Sequence, residues 1–128
     1  MKKLRVSVAD LDDDAVKCGL TKDAIERRII QSIQLDTDIK FVNSPRLPLL
    51  KVEALVARPD GFCVAHLLTQ VVMTENLIVP AGVKRAGTVE LFRTGSIEAS
   101  TKTDGKEILD AVEKLGRRFS RNWNNDNP

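Results

Sequence analysis

The sequence predicts one α+β domain: a mixed, mainly antiparallel sheet of about four to five strands with two helices packed on one face, in the order β-α-β-β-β-β-α. Three observations carry this. Strand formers on both sides of Pro59-Asp60-Gly61 read as one long hairpin. Two stretches, Lys22 to Gln34 and Ile108 to Trp123, place apolar residues at helical spacing. Two helices are too few to cover both faces of such a sheet, so one face stays partly wet or is used in self-association.

The elements follow in chain order. Leu4 to Ala9 alternates and reads as a first strand, followed by an acidic loop from Asp10 to Asp14. Thr21 is the expected N-cap of a helix over Lys22 to Gln34, with Asp23 in its first turn and Ile25, Ile29, Ile30 and Ile33 as its apolar stripe. Ile39 to Val42 is a short strand, and Pro45 and Pro48 bracket a connector that cannot continue a helix. In the hairpin Pro59 presets the turn and Gly61 closes it, which sets Arg58 opposite Phe62, Val56 opposite Val64 and Val52 opposite Leu68. That register turns Val52, Val56, Val64, His66 and Leu68 toward the core and Cys63 away from it. A slip of one residue would exchange the two faces.

Beyond the hairpin, Leu77 to Gly82 reads as an apolar loop and Val83 to Gly87 as a turn. Thr88 to Ser100 is a further strand, with Gly95 marking a bulge. Asp104-Gly105-Lys106-Glu107 resembles a capping box. It opens a helix whose stripe is Ile108, Leu109, Val112, Leu115, Phe119 and Trp123, with a polar tail from about Asn122.

The length of 128 residues fits a single domain over the whole chain. Apolar content of 42%, charged content of 30% and a net charge of +2 are ordinary for a globular protein and select no partner class. No apolar run is long enough to span a membrane. Met1-Lys2-Lys3 begins like a signal peptide, but no apolar segment follows. The chain as it stands reads as cytoplasmic, and as periplasmic if an export signal has been removed. Four Phe, one Trp and no Tyr leave little for stacking-based binding of single strands or sugars.

Candidate chemistry is thin. Asp10-Leu11-Asp12 after a strand resembles the nucleophile motif of haloacid-dehalogenase-type phosphatases, where one carboxylate attacks phosphorus and the next handles the proton. The alternating βαβ units of that family are missing. The same acids lack the Gly and closing Glu of an EF-hand loop. A solvated acidic loop is the expectation. His66 is the only histidine and sits in a strand, where a packed structural role outweighs a catalytic one. Cys63 and His66 are three apart and point to opposite faces, so they form no nucleophile and base pair. A Cys18–Cys63 disulfide would tie the start of the first helix to the hairpin. Two buried free thiols are the alternative, favoured by a register that turns Cys63 away from the helices. Lys84-Arg85 and the Arg117, Arg118, Arg121 cluster accompany no nucleic-acid motif and read as solvated. No metal or cofactor site is expected.

Cys18-Gly19-Leu20-Thr21 before the first helix and Phe119 with Trp123 closing the second resemble small bacterial extracytoplasmic domains. The amino-terminal domain of the Tol-system propeller protein and outer-membrane assembly lipoproteins are similar in this sense. The resemblance implies a non-enzymatic envelope protein that binds another protein, and it assigns no functional residue. The reading is a domain without catalytic activity, acting through protein contacts or self-association. The exposed sheet face, its edges and Leu77-Ile78-Val79 are the expected surfaces. A small ligand-binding, metal-binding or enzymatic domain using Asp10 to Asp14 is the alternative, and a nucleic-acid binder is a second.

Overall fold

The computed structural model describes residues 3–78 and 84–126. The elements are β1 (Lys3–Val8), α1 (Asp13–Lys17), α2 (Lys22–Gln34), β2 (Lys40–Phe41), β3 (Leu49–Ala57), a 3-10 turn (Pro59–Gly61), β4 (Cys63–Ile78), β5 (Lys84–Ser100) and α3 (Lys106–Asp126). The strands form one sheet in the order β2-β1-β3-β4-β5. β1 runs parallel to both neighbours, while β3, β4 and β5 are antiparallel. The α+β class and mixed sheet are as the sequence predicts.

The long helices form where their stripes and caps place them. Thr21 accepts a hydrogen bond from the Ala24 N–H at 3.1 Å and starts α2. Asp104 accepts from the Lys106 N–H at 3.0 Å, and Gly105, at φ +73, turns the chain into α3. Ile25, Ile29 and Ile33 of α2 and Ile108, Val112, Leu115 and Phe119 of α3 are buried against the sheet's even-numbered side on β1 and β3: Leu4, Val8, Leu50, Val52, Ala54 and Val56. α3 continues through Asp126, over residues that the sequence reads as a tail.

The hairpin register differs from the expected one by one residue. Ala57 pairs with Val64, Val56 with Ala65 and Val52 with Thr69. The shift follows from the turn, where both Asp60 (φ 51) and Gly61 (φ 82) take left-handed conformations and Phe62 stays out of the ladder. The core face of β4 is therefore Cys63, Ala65, Leu67, Thr69 and Val71, all buried. Val64, His66 and Leu68 lie on the opposite face, where a charged or wet imidazole is tolerated and a core position would be costly.

Other differences are local. Asp12 caps a short helix, α1, that the acidic run conceals in the sequence. The ladder between β4 and β5 shifts between Val71, paired with Phe92, and Val72, paired with Glu90, so the bulged residue is Leu91. Gly95 is not a bulge. It is a close approach: a Cβ there would stand 2.9 Å from the Leu67 carbonyl oxygen. Lys84 to Gly87 and Leu77-Ile78 belong to strands rather than to a turn and a loop. Val79 to Val83 lie outside the described residues.

Candidate interaction surface

The sequence-predicted site residues are not brought together. Asp10 lies in the open, paired with Lys22 at 2.9 Å, and that ammonium holds its carboxyl below the usual carboxylate range through a hydrogen bond and its charge. Asp12 is occupied twice: one oxygen accepts from the Ala15 N–H at 2.7 Å as the cap of α1, the other from the Val56 N–H at 3.4 Å. It ties a short helix to β3. His66 is exposed at the centre of the sheet face that the helices leave open. Cys18 and Cys63 are joined, with Cα atoms 6.1 Å apart and both side chains fully buried. Among the described residues no group of three or more His, Cys, Asp or Glu is placed to hold a metal ion.

The basic clusters are dispersed in the same way. Arg117 pairs with Glu113 at 4.0 Å, and Arg118 donates to the Gly95 carbonyl at 3.4 Å. Arg121 is exposed on α3. The side chains of Lys84 and Arg85 lie outside the described set.

What the fold does build is an open sheet face with an apolar centre. Register and alternation put Leu55, His66 and Ile97 in one row across β3, β4 and β5. Leu55 is 53% exposed and Ile97 72% exposed. Ala57, Val64 and Ala99 make the next row, with Phe62 exposed in the turn beyond it. On the other side the surface becomes polar: Lys51, Gln70 and Arg93 share a row, and Glu90 accepts from Gln70 at 2.7 Å and pairs with Arg93 at 3.1 Å. The face thus presents an apolar patch beside an internally neutralised polar belt, held by strands whose other side is the core. Sequence reasoning anticipated an open face but assigned His66 to the core side. The signal that would have corrected it is His66 itself, because only the shifted register exposes the one imidazole.

A second concavity of about 200 Å³ lies where the end of α3 meets the sheet, lined by Leu4, Val71, Leu91, Phe92, Phe119 and Trp123 together with Asn122 and Asp126. Its aromatic wall is ordered: Phe92 meets Phe119 edge-on at 5.3 Å, and Phe119 stacks on Trp123 at 6.2 Å. Asp126 is its one ionisable lining residue. Among the described residues no helix is long and apolar enough to cross a membrane.

No protein-family model matches the chain, and no curated protein matches it. Among solved structures it is similar to a minor lipoprotein of Acinetobacter baumannii, at 13% identity and a TM-score of 0.40 over 94% of this chain and 88% of that one. It is also similar to the rare lipoprotein B of Shewanella oneidensis, at 15% identity and a TM-score of 0.29 over 93% of this chain and 88% of that one. At these identities and scores the likeness carries no argument about function.

Proposed function

We propose that this chain is a non-catalytic contact domain that receives a protein partner on the open face of its sheet, in an oxidising compartment such as the bacterial cell envelope. The carrying observation is the exposed row Leu55–His66–Ile97, two large aliphatic chains flanking an imidazole on a rigid three-strand platform. Aliphatic surface supplies the affinity and the imidazole a directional polar contact at the centre. The partner that fits is an apolar strand or helix face carrying a hydrogen-bond acceptor. The buried Cys18–Cys63 disulfide supports the location, because such bonds form and persist outside reducing cytosol.

A photoreactive amino acid placed at Leu55, with Gln31 on the opposite side of the molecule as control, tests this in cells. The expected result is a discrete protein adduct from position 55 that is absent from position 31 and suppressed by His66→Asp. Equal labelling from both positions would overturn the reading.

A further inference from the structure

We infer that the free edge of β5 is a pairing surface for a second copy of this chain, joined antiparallel about a two-fold axis at Ile97. The inference rests on the contact-domain reading and names one of its partners, on the sheet edge rather than the sheet face.

β5 is the terminal strand of the sheet. Three contacts fix which of its backbone groups point outward. The Gly95 carbonyl accepts from the Arg118 guanidinium, so it is turned away from β4. The Thr94 carbonyl accepts from the Thr69 hydroxyl at 3.3 Å, so it is turned toward β4. The Leu67 carbonyl lies close against Gly95, and Leu67 is the ladder partner of Ser96, which fits a Ser96 N–H turned toward β4. In an antiparallel ladder both backbone groups of a residue face the same way. Arg93, Gly95, Ile97 and Ala99 therefore present N–H and C=O to the free edge.

A second β5 can pair only through these odd positions, which restricts the registers. Centring the axis on Ile97 sets Ile97 against its own copy and Gly95 against Ala99. The most exposed large apolar residue among the described residues is then covered by itself. The even positions form the non-hydrogen-bonded pairs, whose side chains approach most closely. Ser96 falls opposite Glu98, and this meets two needs. The Ser96 hydroxyl is the one buried side-chain polar atom among the described residues with no hydrogen-bond partner. Glu98 is half-buried on the helix side, where its pair across β4 is the buried Ala65, and it makes no hydrogen bond or ion pair among the described residues. In the pair the hydroxyl of each copy donates to the carboxylate of the other, twice by symmetry. No like charges face each other, since Arg93 falls opposite Thr101. The Leu55–His66–Ile97 row then runs unbroken across both copies.

Arg118 sets how readily this happens. Its guanidinium occupies the Gly95 carbonyl, the acceptor that the Ala99 N–H of the second copy would use. It holds the edge closed until displaced, as charged side chains on edges do.

Sedimentation equilibrium over a wide concentration range tests the proposal. The intact chain is expected to show a monomer–dimer equilibrium, and Arg118→Ala to tighten it by about ten- to a hundredfold, the worth of two exchanged hydrogen bonds, one from each copy. Ile97→Arg and Ile97→Asp are each expected to be monomeric, and an equal mixture of the two to recover a dimer, because the residue faces itself. Circular dichroism melts show whether these exposed-site variants keep the fold. Failure of the mixture to associate, a dimer indifferent to Ile97→Arg, or a monomer at every concentration with Arg118→Ala each overturns the inference. A monomer whose Leu55 adduct persists defeats this inference and leaves the contact-domain reading standing.

Discussion

Gly116 of α3 packs tightly against Ser32 and Ile29 of α2. A Cβ there would overlap the Ser32 hydroxyl and press on the Ser32 Cβ at 2.9 Å. Ser32 cannot swing away freely, because its hydroxyl donates to the Ile29 carbonyl at 2.8 Å inside the buried crossing. Gly116→Ala should therefore destabilise by about 1–3 kcal/mol in denaturant unfolding despite its better helix propensity, and Ser32→Gly in the same chain should recover most of it. At the surface the expectation is opposite in size. Lys22 lowers the folded-state pKa of Asp10, so the pair contributes at neutral pH and the contribution is lost as pH falls through that value. Asp10 is fully exposed and screened by water, so Asp10→Asn should leave the pH dependence of the melting temperature nearly unchanged. Caps such as Thr21 were legible in the sequence because their chemistry is local. Asp12 was not, because its second partner, the Val56 N–H, lies 44 residues away.

At the scale of elements, α2 and α3 follow directly from apolar spacing, and their burial matches it. Phe119 sits at the centre of the α3 contact, between Phe92 and Trp123, and Phe119→Ala should cost about 3–5 kcal/mol, read from the denaturation midpoint. The β3–β4 hairpin was legible as an element but not in its register. Both faces of β4 carry aliphatics, with Ala65, Leu67 and Val71 on one and Val64, Leu68 and Val72 on the other, so alternation alone does not choose between them. Two features favour the observed choice: the left-handed Asp60–Gly61 corner in the turn itself, and the link from Cys63 to the segment before α2. The link closes a loop of 45 residues, and Cys18→Ala/Cys63→Ala should lower stability by roughly 2–5 kcal/mol. Thermal unfolding with and without reductant checks this: intact protein should lose stability only once the buried bond has been reached by partial unfolding.

For the whole molecule, the sheet order explains where stability concentrates. β1, first in the chain, lies between β2 and β3; β3 is paired on both sides over Leu49 to Val52, and β4 on both sides along the whole of β3. Native-state hydrogen exchange should find the slowest amides in β4 opposite β3 and in the β3 residues that face it, and fast exchange at Arg93, Gly95, Ile97 and Ala99, whose amides face outward in a single copy. Raising the concentration should slow Gly95, Ile97 and Ala99 selectively if two copies pair at that edge. The sequence predicted the class, the single open face and the layer of helices, because each follows from counting apolar stripes against surfaces to be covered. It did not predict the insertion of β1 between two parallel partners, since parallel pairing joins segments with no local turn to announce it. The candidate surface was legible only as a face left uncovered. Its central row needed the register, which the left-handed corner and the distant Cys18 partner of Cys63 select together.

The Pro59–Gly61 corner stands clear of everything else: an added methyl at Gly61 would meet no atom within 4 Å. Immediately behind it, Cys63 is anchored covalently to the far side of the core. A guest loop, a fluorophore or a spin label grafted at this tip would report on a rigid mount, at the end of the sheet that carries the Leu55 row and away from the polar belt.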